Sequence, residues 1–284
     1  MAIPIINNWR KYYPEADEGW GSSYERIVLN KLLLRLATQS KYENALEAPC
    51  FGFTGITGIN LVALAQTGCK VMLEDHDKER AALIRKTWHD LHLPVQVRVN
   101  PGYRSLDYPD KSVDFGFNFS AMWFVEDLGA FCSEFCRVIK KEILICVPNR
   151  DGLGFKGQLK GYRAEKYPDL HPKHIDRQSI TWFMRKEGWE LVKQGYIDCP
   201  PWPDIGMSKE DFMAAKLGLD LAKASEKSNQ SNQKASEPFS IIPYYQGEDP
   251  DFARKMLHLH RFELLAPKCF KRFWAHHYYL LFRP

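Results

Sequence analysis

Between residues 24 and 37, in YERIVLNKLLLRLA, the apolar side chains gather on one broad face and Glu25, Arg26, Asn30, Lys31 and Arg35 fall outside it, which is the spacing of an amphipathic helix. Beyond it, short apolar runs take turns with helical patterns. A run ending at Cys50 leads into a glycine-bearing turn, a helical stretch near 58–67, a second run from Lys70 to Glu74, and a helix over about 78–92 whose Ala81, Ile84, Trp88 and Leu91 share a face. VQVRV (95–99), SVDFGFNFS (112–120), a helix with Leu128, Phe131, Phe135 and Val138 on one side, and EILICVP (142–148) continue the alternation. Near-continuous apolar strands separated by amphipathic helices predict a parallel sheet covered on both faces, an open α/β architecture.

After residue 150 the rhythm changes. A helix is expected from Ile175 to Glu187, a strand over WELVKQGYIDC (189–199), and a closing aromatic strand in FWAHHYYLLFRP (273–284). Between the last two strands, KEDFMAAKLGLDLAKA and DPDFARKMLHLHRFELL read as helices flanking SEKSNQSNQKASEP (225–238), a polar stretch with little to bury, expected to be a flexible loop. The division expected is an N-terminal helical segment over the site (1–41), a core (42–199), a helical cap insertion (200–272) and a final core strand (273–284).

A chain of 284 residues, 45% hydrophobic, can bury one large domain with an insertion. No apolar run is long enough to span a bilayer, and MAIPIINNWRKYY lacks the order of a secretory signal, so a cytoplasmic protein is expected. Seven cysteines without a C-x-x-C pair argue against disulfides and structural zinc. The formal charge of +4 is spread without a basic stripe, which makes nucleic acid an unlikely partner. His171-x-x-His174, His258-x-His260 and His276-His277 lack carboxylates or cysteines at ligand spacing nearby, so no metal is expected.

The chemistry concentrates in ALEAPCFGFTGITG (45–58), where Glu47 precedes Gly52, Gly55 and Gly58, spaced three apart. Ligands of open α/β sheets bind beyond the carboxyl ends of the strands, where a glycine-rich turn allows close approach. A dinucleotide site would want G-x-G-x-x-G with its pyrophosphate on a helix N-terminus, and a carboxylate there would repel it. Glu47 suits instead a cofactor carrying ammonium and sulfonium charges. In KVMLEDHDKE, an acid at the end of the second strand can accept both hydroxyls of a ribose.

These segments resemble the class I S-adenosylmethionine-dependent methyltransferases. LEAPCFGFTG looks like the family's first motif and VMLEDHDKE its second, with Asp75 favoured for the ribose and Glu74 after it. YRSLDYPDKSVDFGF (103–117), NFSAMWFVEDL and CRVIKKEILICVPN are similar to the segments around its fourth and fifth strands. The resemblance implies a Rossmann-like, doubly wound, mostly parallel seven-stranded sheet with an antiparallel last strand. It implies S-adenosyl-L-methionine as cofactor, touched by Glu47, Gly52, Gly55, Asp75, His76, Tyr103, Arg104, Asn118 and Phe119. The chain departs from the family where Pro49 replaces the first glycine, where Phe51 and Phe53 take the place of small residues, and where Gly102 or Tyr103 stands in the register of an adenine-binding Asp. Aromatic residues near the N-terminus and in the cap favour a small, partly apolar or aromatic methyl acceptor, with a homodimer left open and no catalytic residue assigned. His171, His174 and Tyr244 stand near the cap without a role committed to them. A methyltransferase-like binding or scaffold protein without turnover, and an NAD(P)-dependent oxidoreductase, are the alternatives.

Overall fold

The structure, a computed structural model, describes residues 6, 9–13, 19–52, 55–159, 162–200 and 240–284. The loop expected at 225–238, the helix expected over 209–224, and Phe53 lie outside the described residues.

A long helix, α1 (Gly19–Ser40), precedes the sheet. Then follow β1 (Asn44–Glu47), α2 (Val62–Ala65), β2 (Lys70–Asp75), α3 (Lys78–Asp90), β3 (Val95–Val99), β4 (Val113–Phe119), α4 (Leu128–Val138) and β5 (Ile139–Pro148). After α5 (Leu153–Leu159), α6 (Arg177–Lys186) and β6 (Glu190–Ile197) come α7 (Ile242–Tyr245), α8 (Phe252–Leu265), α9 (Lys268–Trp274) and β7 (His277–Arg283). The seven strands lie in the order β3-β2-β1-β4-β5-β7-β6, with β7 antiparallel to both neighbours and the other pairs parallel. This is the doubly wound sheet the sequence leads one to expect. Strand order reverses between β1 and β4, which opens the crevice where such sheets take ligands.

Every residue of β4 is buried, because helices cover both faces of the sheet. One core layer joins α1, α2, α3 and α8 through Leu33, Leu64, Trp88 and Met256, and the other joins α4 and α6 through Phe131, Phe135, Ile180 and Met184. Each such side chain contributes roughly 1.5–3 kcal/mol by leaving water. Local chemistry starts the helices where the chain turns off a strand. Asp77 accepts from the backbone N–H groups of Glu79 and Arg80 to cap α3, Asp127 caps α4, and Asp176 caps α6.

Several boundaries differ from the sequence expectation, among them the helix expected near 58–67, which covers only Val62–Ala65. The apolar run read to Cys50 overshoots β1, which ends at Glu47 as the carboxylate's place at a strand end implies, because from Ala48 the chain leaves the β2 ladder for the glycine turn. β5 begins earlier, at Ile139, which pairs with Val113 across an irregular step in the ladder. Phe273 and Trp274 close α9, with Trp274 Nε1 donating to Pro200 O at 2.7 Å, so the last strand starts at His277. The described part of the insertion docks on α1. Tyr24 Oη donates to Glu263 Oε2 of α8 at 2.9 Å and Asn30 Nδ2 to Tyr245 Oη of α7 at 2.8 Å. Among the described residues no helix is long and apolar enough to cross a membrane.

Candidate active site at the carboxyl edge of the sheet

The turn after β1 is pinned to both neighbouring strands. Cys50 N donates to Glu74 O at 2.9 Å, and Asn118 Nδ2, near the end of β4, donates to Ala48 O at 2.8 Å. Asn118 Oδ1 also accepts from Ala121 N at 3.3 Å, so one side chain ties the exit of β1 to the exit of β4. At Gly52 the loop lies on the end of β4 so closely that an added Cβ would stand 2.5 Å from the carbonyl oxygens of Phe119 and Ser120. Gly55, at φ 125°, occupies backbone space that residues with a Cβ rarely enter.

Glu47, the last residue of β1, is fully buried. Its Oε1 accepts from Asn60 Nδ2 at 2.6 Å, and Asn60 Oδ1 accepts in turn from Arg26 Nη1 of α1 at 2.5 Å. Oε2 has no hydrogen-bond partner. Burial pushes the Glu47 carboxyl up to about 8, with Asn60 and Arg26 pulling the other way. An orphaned buried carboxylate oxygen at a strand end fits a cationic ligand group.

Asp75 closes β2 and is fully buried, but its oxygens are taken. Arg80 donates through Nε to Oδ2 at 3.0 Å and through Nη2 to Oδ1 at 2.6 Å, and Asp77 N donates to Oδ1 at 2.8 Å. The guanidinium itself is buried, 3.6 Å from the Phe51 ring centroid and 5.4 Å from that of Trp9. His76 sits between Arg80, 3.0 Å from its Nε2, and Tyr103 Oη, 3.0 Å from its Nδ1. Burial, and then Arg80, lower its basicity. Phe51 and Phe124, with centroids 5.1 Å apart, complete an aromatic wall. The paired N–H groups of Arg80 meet Asp75 as two ribose hydroxyls would, so the carboxylate has the shape for a diol while an internal cation fills it. The alternative acid, Glu74, is buried and accepts from Asn100 Nδ2. Arg104 points away from this group, more than half exposed, and pairs with Glu126 at 2.7 Å. Of the nine residues proposed from sequence, the structure gathers Glu47, Gly52, Asn118 and Phe119 around β1 and β4, and Asp75, His76 and Tyr103 around β2. Gly55 lies farther along the turn.

A second buried polar group lies along the same edge, beyond β4. His277, the first residue of β7, has Nδ1 2.5 Å from Glu25 Oε1 of α1 and 3.8 Å from Asp198 Oδ2, just past β6. Asp198 Oδ2 also meets His276 Nδ1 at 2.6 Å, and His277 Nε2 lies 3.2 Å from Ser120 Oγ. The His277 ring packs 4.6 Å from that of Phe119, which joins this group to the crevice. Tyr103, in the loop after β3, and Ser120 and Asp198, each just past a strand, all have positive φ, near 54°, 54° and 63°, a strained conformation for residues with a side chain. Sequence reasoning missed Arg80, Glu25, Asp198 and Ser120. A usable signal existed for Asp198, an acid just past a strand end as Glu47 and Asp75 are acids at theirs. None existed for Glu25, which reads as the polar side of a helix.

The sequence of residues 52–147 matches the family model described as a methyltransferase domain. No curated protein sequence matches the chain significantly. Among solved structures, the YcgJ protein of Bacillus subtilis is similar at a TM-score of 0.50 and 12% identity, over 89% of this chain and 96% of that one. The magnesium protoporphyrin IX methyltransferase of Synechocystis PCC 6803 gives 0.50 at 11% identity, over 69% and 89%. A SAM-dependent methyltransferase from Aquifex aeolicus is 18% identical over 62% of this chain and 87% of its own, at 0.47. Residues 52–147 thus match a methyltransferase domain, the kind of domain that works with S-adenosylmethionine, on the fold that the YcgJ protein and the protoporphyrin methyltransferase share.

Proposed function

We propose that the enzyme methylates a small, partly apolar or aromatic acceptor by in-line displacement in the cytoplasm. The carrying observation is the buried, unpartnered oxygen of Glu47 at the switch point, on an edge that also carries a wall formed by Trp9, Phe51 and Phe124 against Arg80 and His76. S-adenosylmethionine, when bound, supplies a methyl group already activated by its sulfonium. The chain's own work is then placement and exclusion of water, worth much of the barrier without a dedicated base. Glu47 would hold the cationic end, Asp75 would accept the ribose hydroxyls as Arg80 yields them, and Gly52 and Gly55 would let the backbone come close. His76, Tyr103, Asn118 and Phe119 would line the rest, with Arg104 at the rim. Residues 1–41 would roof the site, 42–199 form the core, 200–272 shape the acceptor side, and 273–284 close the sheet.

Calorimetry tests this directly. With the unliganded Glu47 carboxyl at about 8, affinity for S-adenosylmethionine should strengthen as pH rises toward that value, because the ion that attracts the cation becomes cheaper to form. Glu47→Gln should abolish that dependence and weaken binding. A parent protein that binds neither S-adenosylmethionine nor S-adenosylhomocysteine defeats the reading. Transfer of labelled methyl to RNA or protein, with none to small-molecule fractions, defeats the choice of acceptor.

The Arg80–Asp75 pair and the tight seat of Gly52 favour a second reading, a binding or scaffold protein that no longer turns over. Firm S-adenosylhomocysteine binding without transfer to any acceptor is its signature.

A further inference from the structure

We propose that Glu25, Asp198 and His277 form a binding site for one divalent first-row transition ion such as Zn²⁺ or Mn²⁺. The three residues come from α1, the end of β6 and the start of β7, and each is nearly or fully buried, at 5%, 1% and 3% relative exposure. Each offers one ligand atom, and the three atoms lie within 4.8 Å of one another.

Charge balance is the first argument. Two buried carboxylates, Glu25 and Asp198, face two imidazoles, His276 and His277, and among the described residues no lysine or arginine pairs with either carboxylate. Balancing both charges with protons needs both rings charged, whereas a divalent ion balances them with both rings neutral. Geometry is the second. Glu25 Oε1 and His277 Nδ1 stand 2.5 Å apart without the alignment of a hydrogen bond, and Asp198 Oδ1 is buried with no partner at all. Ligand atoms that converge this closely from three segments are what a cation organises. The surroundings are the third. Ligating imidazoles give their other N–H to a fixed acceptor, and His277 Nε2 has Ser120 Oγ at 3.2 Å. His276, at 2.6 Å from Asp198 Oδ2, orients the carboxylate or supplies a fourth ligand. One or two imidazoles with two carboxylates select transition ions over Mg²⁺ or Ca²⁺. The convergence escaped the sequence expectation of no metal because its ligands sit on three distant segments. Local spacing around His276-His277 shows none of them.

The proposal is independent of how the cofactor is held. Its test is metal content by inductively coupled plasma mass spectrometry on tag-free protein, after dialysis against Zn²⁺ or Mn²⁺ and gel filtration. The expected result is one equivalent per chain, a melting temperature that falls with a chelator and recovers with the ion, and visible ligand-field bands on loading with Co²⁺. Asp198→Asn and Glu25→Gln, near-isosteric changes, should each weaken binding by more than about tenfold, and Ser120→Ala by about 10–100-fold. A folded parent protein that takes up no stoichiometric ion, with an unmoved melting temperature and a colourless Co²⁺ form, overturns the site. So does an Asp198→Asn protein that holds its ion as firmly as the parent, since the ion would then sit elsewhere, for instance on the exposed histidines.

Discussion

The two halves of the sheet's carboxyl edge handle buried acids in opposite ways. On the β1/β2 side every acid has an internal donor: Arg80 grips Asp75 with two hydrogen bonds, and Asn60, backed by Arg26, reaches Glu47. On the β4/β7/β6 side, the partners of Glu25 and Asp198 among the described residues are histidines. A buried carboxylate satisfied from within is a stable element that a ligand must displace, while one left unbalanced waits for a cation. The first half is largely satisfied from within, with Glu47 Oε2 left over for a cofactor's cation, and the second has room for chemistry beyond its domain's usual kit.

The largest break in that contrast is Arg80→Met, which makes the first half resemble the second. Stability in urea should fall by about 3–5 kcal/mol, because Asp75 is left buried and unpaired. Adding Asp75→Leu should return much of it, which distinguishes an uncompensated charge from lost packing.

Next comes pH. Glu47 titrates at 4.5 when unfolded and at about 8 when folded, so between those values the native state holds the extra proton. The parent should accordingly lose stability as pH rises through that window, by up to about 4 kcal/mol, and a Glu47→Gln variant should not. Denaturant titrations of both proteins across the window read the difference, and parallel curves would show that Glu47 is hydrated after all.

Gly52→Ala is smaller. Its new methyl would press on the backbone of Phe119 and Ser120, which cannot rotate away, at about 1–3 kcal/mol by thermal melt. Arg104→Ala, whose partner Glu126 is also exposed, should leave the melting temperature unchanged while trimming cofactor affinity only if the side chain swings inward on binding.

How much of this was legible in the sequence follows from distance along the chain. VQVRV forms β3 with both ends as read, and Leu128, Phe131, Phe135 and Val138 all face inward from α4, because hydrophobic period is a local property. Glu47 and Asp75 were legible as acids at strand ends. That Arg80 would claim Asp75 was not, since DHDKER reads equally well as a solvated helix start. Phe273 and Trp274 carry the aromatic character of a strand, yet Pro267 and the Pro200 carbonyl draw them into a helix. Glu25, Asp198 and His277 needed the fold itself, for only the insertion of β7 between β5 and β6 brings them together.

Consecutive residues of a helix point about 100° apart. In α1, Tyr24 reaches Glu263, Glu25 reaches His277, and Arg26 reaches Asn60 and the carbonyl of Ile56, so three neighbours are fastened on three sides. Such a helix cannot swing out like a door, and traffic into the crevice must pass the mouths of the strand-end loops. One inserted residue in this turn would rotate all three fastenings out of reach together, so the helix is inherited in register or lost whole.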